Sequence, residues 1–165
     1  MVETLKGIDR ILLFRVLAEE GSAVSASKLA FQTEHEISKT RDVNGTATKD
    51  GMRQSLGELE TEISVTSILA KGDAFATEIE QAFDDGKVIE IWDIDRSGEG
   101  ALGKYPATYY QAYMTDFSQN PNAEDDVELS MDFSVNGKGV KGEATLTGAQ
   151  AEVVQYAFKD TTADA

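Results

Sequence analysis

The chain has 165 residues, 41% of them hydrophobic, with 30 Asp and Glu against 15 Lys and Arg, a formal charge of 15 − 30 = −15. That length and apolar content suit a single domain over 1–165 with one packed core. The absence of cysteine removes disulfides, thiolate nucleophiles and thiolate metal sites, the lone His35 removes two-histidine metal motifs, and a pI near 4.3 argues against coating nucleic acid.

In chain order, Met1 to Lys6 shows no basic segment followed by an apolar one, so no signal peptide is expected. No apolar run approaches the ~18 residues of a membrane-spanning helix. Ile8 to Leu17 is predicted as a strand, although Ile11-Leu12-Leu13-Phe14 also suits a helix on periodicity alone. Leu29, Phe31, Thr33 and Ile37 alternate with Gln32, Glu34 and Glu36, the signature of a half-buried strand. Thr40 to Gly57 breaks the pattern. It holds Gly45, Gly51 and Gly57, an Asn44-Gly45 turn signal and almost nothing apolar before Met52, and is predicted as a long polar loop over 40–57. It is also locally basic, since Lys39, Arg41, Lys49 and Arg53 outnumber Asp42 and Asp50. A loop of that length inside a compact domain is functional or disordered, not filler.

Beyond it, Leu59, Ile63, Val65 and Leu69 oppose Glu58, Glu60 and Glu62 in another strand. A helix is predicted over 73–85, capped by Asp73, with Phe75, Ile79, Ala82 and Phe83 at helical spacing and Gly86 as its exit. Val88 to Ile94 is apolar on both faces at its centre, as in a covered strand. Tyr105, Ala107, Tyr109, Tyr113 and Phe117 form an aromatic stripe along a long strand. From Asp126 to Val135 the alternation is complete: Val127, Leu129, Met131, Phe133 and Val135 face one way, and Asp126, Glu128, Ser130, Asp132 and Ser134 the other. The tail, 147–158, suits a helical turn leading into a strand. The sum is a mainly β protein, an antiparallel β-sandwich or barrel with one flanking α-helix.

The motifs that suggest chemistry lack their context. Asp93, Asp95, Ser97 and Gly98 begin a calcium-loop pattern, but its last position is Lys104 in place of a bidentate Glu. Gly98, Gly100 and Gly103 spell a dinucleotide or P-loop glycine pattern, yet a strand follows where a helix N-terminus is needed. Carboxylate pairs are too plentiful to single out an acid and its partner. His35, between Glu34 and Glu36, reads as a packed or interface imidazole with no nucleophile to serve. Tyr105, Tyr109, Tyr110 and Tyr113 have no interleaved cation for stacking bases, and Asn44-Gly45-Thr46 reads as a turn, not a glycosylation site. No catalytic residue, metal ligand or cofactor site is predicted.

Longer strings carry a resemblance. Lys28-Leu29-Ala30-Phe31-Gln32-Thr33-Glu34-His35-Glu36, Ala47-Thr48-Lys49-Asp50-Gly51 and Ser64-Val65-Thr66-Ser67-Ile68-Leu69-Ala70-Lys71-Gly72-Asp73 resemble the major tail, or tail tube, proteins of phages with long non-contractile tails infecting Gram-positive bacteria. So do Val88-Ile89-Glu90-Ile91-Trp92, Lys104-Tyr105-Pro106-Ala107-Thr108-Tyr109-Tyr110-Gln111, Ser118-Gln119-Asn120-Pro121-Asn122-Ala123-Glu124-Asp125 and Gln150-Ala151-Glu152-Val153-Val154-Gln155-Tyr156. The resemblance implies a virion subunit that forms hexameric rings stacked into a tube. Strands from six subunits close an inner barrel, and a long loop with terminal arms joins successive rings. The implied partners are further copies of the chain, a tape-measure protein and tail-end capping proteins, with DNA passing unbound and no membrane involved.

On this reading the inter-ring loop carries Lys39, Arg41, Asp42, Lys49, Asp50 and Arg53, docking on an acidic surface of the next ring. Six copies at −15 give −90 per ring, and a bore lined by such charge repels phosphates. Either the face of Glu58, Glu60 and Glu62 or that of Glu128 and Asp132 lines it; alternation does not decide between them. The alternative is a soluble β-sandwich binding module for calcium or carbohydrate.

Overall fold

The computed structural model describes residues 3–17, 32–69, 71, 74–98 and 104–145. After a short 3-10 turn at Gly7–Asp9, the elements are β1 (Arg10–Val16), β2 (Gln32–Thr48), β3 (Gly51–Ile68), α1 (Ala74–Asp84), β4 (Val88–Asp95), β5 (Lys104–Asn122), β6 (Asp125–Val135) and β7 (Val140–Thr145). All strand pairs are antiparallel, in the order β1-β4-β5-β6-β3-β2, with β7 also pairing β5.

β5 organises the sheet. Its first half runs between β4 and β7, and its second half pairs with β6 from Ala112↔Val135 to Asn122↔Asp125. β6 and β7 therefore occupy successive stretches of one edge of β5, and in the turn between them the Asn136 N–H donates to the Gln111 carbonyl at 2.7 Å. In that turn a Cβ at Gly139 would lie 2.4 Å from the Tyr110 ring, so only glycine lets the chain pass there. The sheet curls over on itself, bringing Phe14 of β1 onto Phe133 of β6 at 5.8 Å between ring centroids. Leu12, Phe14, Ile63, Ile91, Met131 and Phe133 fill the shared core. Burying each such side chain contributes about 1.5–3 kcal/mol before the ordering cost. The result is sandwich-like and does not close into a barrel, since β1 and β2 remain its two ends. Between those ends the Gln32 side chain accepts from the Leu12 N–H at 3.2 Å and donates to the Leu12 carbonyl at 2.8 Å, occupying the backbone groups of an edge residue.

β1 is a strand because both its faces are covered. Leu12, Phe14 and Val16 enter the main core, while Ile11 and Leu13 join Ile94 in a second cluster on the opposite face, against Trp92, Tyr105 and Ala107. The helix lies inside its expected bounds. Ala76, Ile79 and Ala82 are buried, Phe75 stacks on Phe14 at 6.2 Å, and Phe83 stacks on Phe117 at 6.3 Å. It ends in a Schellman arrangement: Lys87 N–H bonds the Ala82 carbonyl at 3.0 Å, and Gly86, at φ 68°, bonds that of Phe83 at 3.1 Å.

Three expectations need amending. Residues 40–57 are not a loop but the outer half of a long β2–β3 hairpin, paired from Gln32↔Ser67 to Thr48↔Gly51. Asn44-Gly45 sits within the ladder opposite Ser55 and Gln54, and the turn is Lys49-Asp50, followed by Gly51 at φ 118°. No described residue covers this segment, so its strands carry no burial pattern to read. The aromatic stripe on β5 is also broken. A register shift between Met114 and Asp116 turns the strand over, so Phe117 packs toward the helix, whereas Tyr105 lies on the opposite face and Tyr113 is exposed. Finally, β7 was not anticipated, being only six residues with a weak alternation of Val140, Gly142 and Ala144. The Asp73 cap, the strand start at Leu29 and Phe31, most of the glycine-rich turn and the 147–158 tail lie outside the described residues.

Candidate assembly surfaces

The acids of β3 and β6 belong to one surface. Pairing places Glu62 opposite Ser134, Ser64 opposite Asp132 and Ile68 opposite Glu128. On the flanking strands, Glu36 of β2 is opposite Ser64, and Asp116 of β5 is opposite Asp132. Because opposed residues in a ladder share a face, Glu36, Glu60, Glu62, Asp116, Glu128 and Asp132 lie together on the side away from the core, all exposed. Between them stand Ser38, Thr40, Ser130 and Ser134, and no described Lys or Arg shares this part of the face. The two alternatives left open by alternation are thus one four-stranded surface. Glu58 is exposed further along, where the ladder skips from Arg41↔Leu59 to Val43↔Leu56.

The hairpin leaves the body beyond Glu62, the last β3 residue paired with β6. From there to Gly51 it runs 11 residues, about 36 Å at strand rise. This arm is a two-stranded ribbon with both outer edges free of described strands. Lys39, Arg41, Asp42, Lys49, Asp50 and Arg53 are all on it and all exposed. Sequence reasoning missed its apolar face. Val43 and Leu56 are directly opposite, as are Ala47 and Met52, and Val43, Met52 and Leu56 are 56%, 64% and 67% exposed. Three of the seven large exposed hydrophobic side chains among the described residues therefore form one stripe. The i, i+2 spacing of Met52, Gln54 and Leu56 was the available signal.

At the base of the arm, charged side chains tie β2 to the body. Asp93, 5% exposed on β4, is bonded by the Arg10 guanidinium through one carboxylate oxygen, and its other oxygen lies 3.4 Å from His35 Nε2, an ion-pair separation. Burial pushes this carboxyl up, but the partnership of His35 and Arg10 outweighs it and holds the group below the usual carboxylate range. Burial, reinforced by the Asp93 charge, pushes the Tyr110 hydroxyl up. On the other face of β4, fully buried Glu90 is held by Arg15 at 2.6 and 2.9 Å, and the guanidinium lies 5.1 Å above the Trp92 ring. With Asp93 turned inward onto Arg10 and His35, the calcium-loop pattern loses its first ligand. The sequence placed His35 correctly as a packed imidazole but offered no sign of its partner, 58 positions away (93 − 35).

The described residues form a curled antiparallel sandwich with an acidic sheet face and a ribbon reaching out of its own body. A profile of phage tail tube proteins matches residues 4–141, and the chain belongs to that family. It is 35% identical over 160 residues to a putative tail protein of Staphylococcus phage phiMR25, covering 93% of this chain and 81% of the relative. Its fold is similar to that of the tail tube of Bacillus phage SPP1, with a TM-score of 0.77, 24% identity and coverage of 98% of this chain and 96% of that one. It is also similar to a subunit in the six-fold symmetric tail of a gene transfer agent particle, with a TM-score of 0.64, 14% identity and coverage of 83% and 98%. The protein is a structural component of a virion tail tube, not an enzyme.

Proposed function

We propose that six copies close into a ring with the acidic face of β2, β3, β6 and β5 turned inward, and that stacked rings form the conduit through which DNA leaves the particle. The observation that carries this reading is the joining of the Glu60–Glu62 and Glu128–Asp132 rows into one exposed surface that no described Lys or Arg shares. A duplex moving past such a wall meets fixed negative charge and hydroxyls, so no contact along the path holds its phosphates. The arm, with its basic residues and apolar stripe, bridges to the next ring. An isolated two-stranded hairpin is marginal in water, which favours a partner for it. A tape-measure protein inside the growing tube and capping proteins at its ends complete the assembly.

The test is a cryo-electron microscopy reconstruction of tubes grown from the purified protein. Glu62 and Asp132 are expected on the bore wall of a six-membered ring. A tube with these residues on its exterior, or with Lys and Arg lining the bore, would refute the proposal.

A further inference from the structure

The two hairpins that flank the acidic face point in opposite directions and carry opposite charge at their tips. Along β3, the direction from Ile68 to Glu62 runs on to the Lys49-Asp50 turn of the arm; the direction from Glu62 to Ile68 runs with β6 from Ser134 to Glu128 and on to the turn at Ala123-Glu124. That second turn extends four residues past the β3–β6 ladder (128 − 124), about 13 Å. Beyond the Val43↔Leu56 pair, the arm's tip holds Lys49 and Arg53 against Asp50, an excess of one positive charge (2 − 1), while nearer the body Lys39 and Arg41 are offset by Asp42, Glu58 and Glu60. The β5–β6 turn holds Glu124, Asp125 and Asp126 with no cation, and all three are exposed.

Resting on the tube reading above, we propose that the β5–β6 turn is the receptor for the arm of a second copy: Lys49 and Arg53 dock on Glu124, Asp125 and Asp126 of a subunit in the neighbouring ring. Three observations converge on that partner. The two features lie at opposite ends of one sheet, so translating a copy along the strand direction brings unlike charges together. The same translation aims each basic tip away from the acidic turn of its own chain, so the pairing occurs between copies and not within one. Elsewhere on the acidic face the arm's cations would have to enter the bore, while the turn at the rim is reached without crossing it. Opposite charge at such a contact guides encounter and fixes register, and like charge disfavours it strongly.

Charge exchange tests the pairing. One variant carries Lys49→Glu and Arg53→Glu, a second carries Glu124→Lys and Asp125→Lys, and a third carries all four changes. Tube formation is read by sedimentation and negative-stain microscopy, with each variant's melting temperature as a control for folding. Each double variant is expected to lose about tenfold or more of the sedimentable tube formed by the wild type. Equimolar mixing of the two doubles, and the four-change variant alone, are expected to restore it, since every arm then meets a turn of opposite charge. Wild-type yield from either double variant overturns the proposal, as does failure of both the mixture and the four-change variant to recover tubes. Wild-type protein that forms neither rings nor tubes at any concentration instead counts against the tube reading itself.

Discussion

Arg15 and Asp93 show how single side chains hold this sandwich together. Glu90 has no exposed surface, and Arg15 neutralises it through two short bonds. Removing the cation strands a buried carboxylate, so Arg15→Ala is expected to lower unfolding free energy by about 3–5 kcal/mol, checked by urea titration. Asp93 acts through pH. Its carboxyl is held below the ordinary range in the folded protein by His35 and Arg10 against the opposing effect of burial. A group whose folded value is depressed contributes stability that is complete above its unfolded value, near ~4, and is lost as pH falls through the folded one. The melting temperature of Asp93→Asn should therefore fall less steeply between pH 5 and pH 2 than that of the wild type. An identical acid limb in the two proteins would contradict the assigned role of Asp93. Neither pair was visible in the sequence, because Arg10 and Asp93 are 83 positions apart and Arg15 and Glu90 are 75 apart. Only strand pairing brings them together.

At the scale of elements, legibility followed burial. β6 was readable almost to the residue, since Leu129, Met131 and Phe133 enter the core while their neighbours face solvent. β4, β5 and α1 were readable for the same reason. The β2–β3 arm was not, because neither of its faces is covered among the described residues; its glycines and polar residues read as loop chemistry when they are in fact a ladder. The faces of β5 were half legible, as alternation cannot show the register shift that turns Phe117 inward. The arm's stripe makes its own prediction. Met52 and Leu56 are exposed in the subunit, so Met52→Ser with Leu56→Ser should leave urea-measured stability within about 0.5 kcal/mol of wild type. The same variant should lose tube yield in sedimentation, because the stripe is covered only when copies associate. A large drop in subunit stability would mean that the arm packs on its own body instead. Gln32 supports the division of labour between arm and body, closing the edge at Leu12 with a side-chain amide while the rest of β2 extends outward.

For the whole molecule, charge is distributed by function more than by balance. Glu36, Glu60, Glu62, Asp116, Glu128 and Asp132 on one sheet face and Glu124, Asp125 and Asp126 in one turn make nine of the 30 acids, while the tip of the arm carries Lys49 and Arg53. Composition alone disclosed the acidity, but the surface it builds emerged only when the β3–β6 pairing joined two rows into one. Self-repulsion of so acidic a chain opposes crowding of subunits, and in the assembly proposed above it is offset by covering the exposed stripe, pairing strand edges and joining complementary tips. The placement of those tips has a further consequence. A subunit with a basic finger at one end and an acidic turn at the other has a head and a tail, and copies joined head to tail add up to a directional object. On the docking proposed above, one mouth of such a tube presents a crown of unfilled fingers and the other a collar of unfilled acidic seats. The proteins that finish each mouth can then tell entrance from exit by the sign of the charge that greets them.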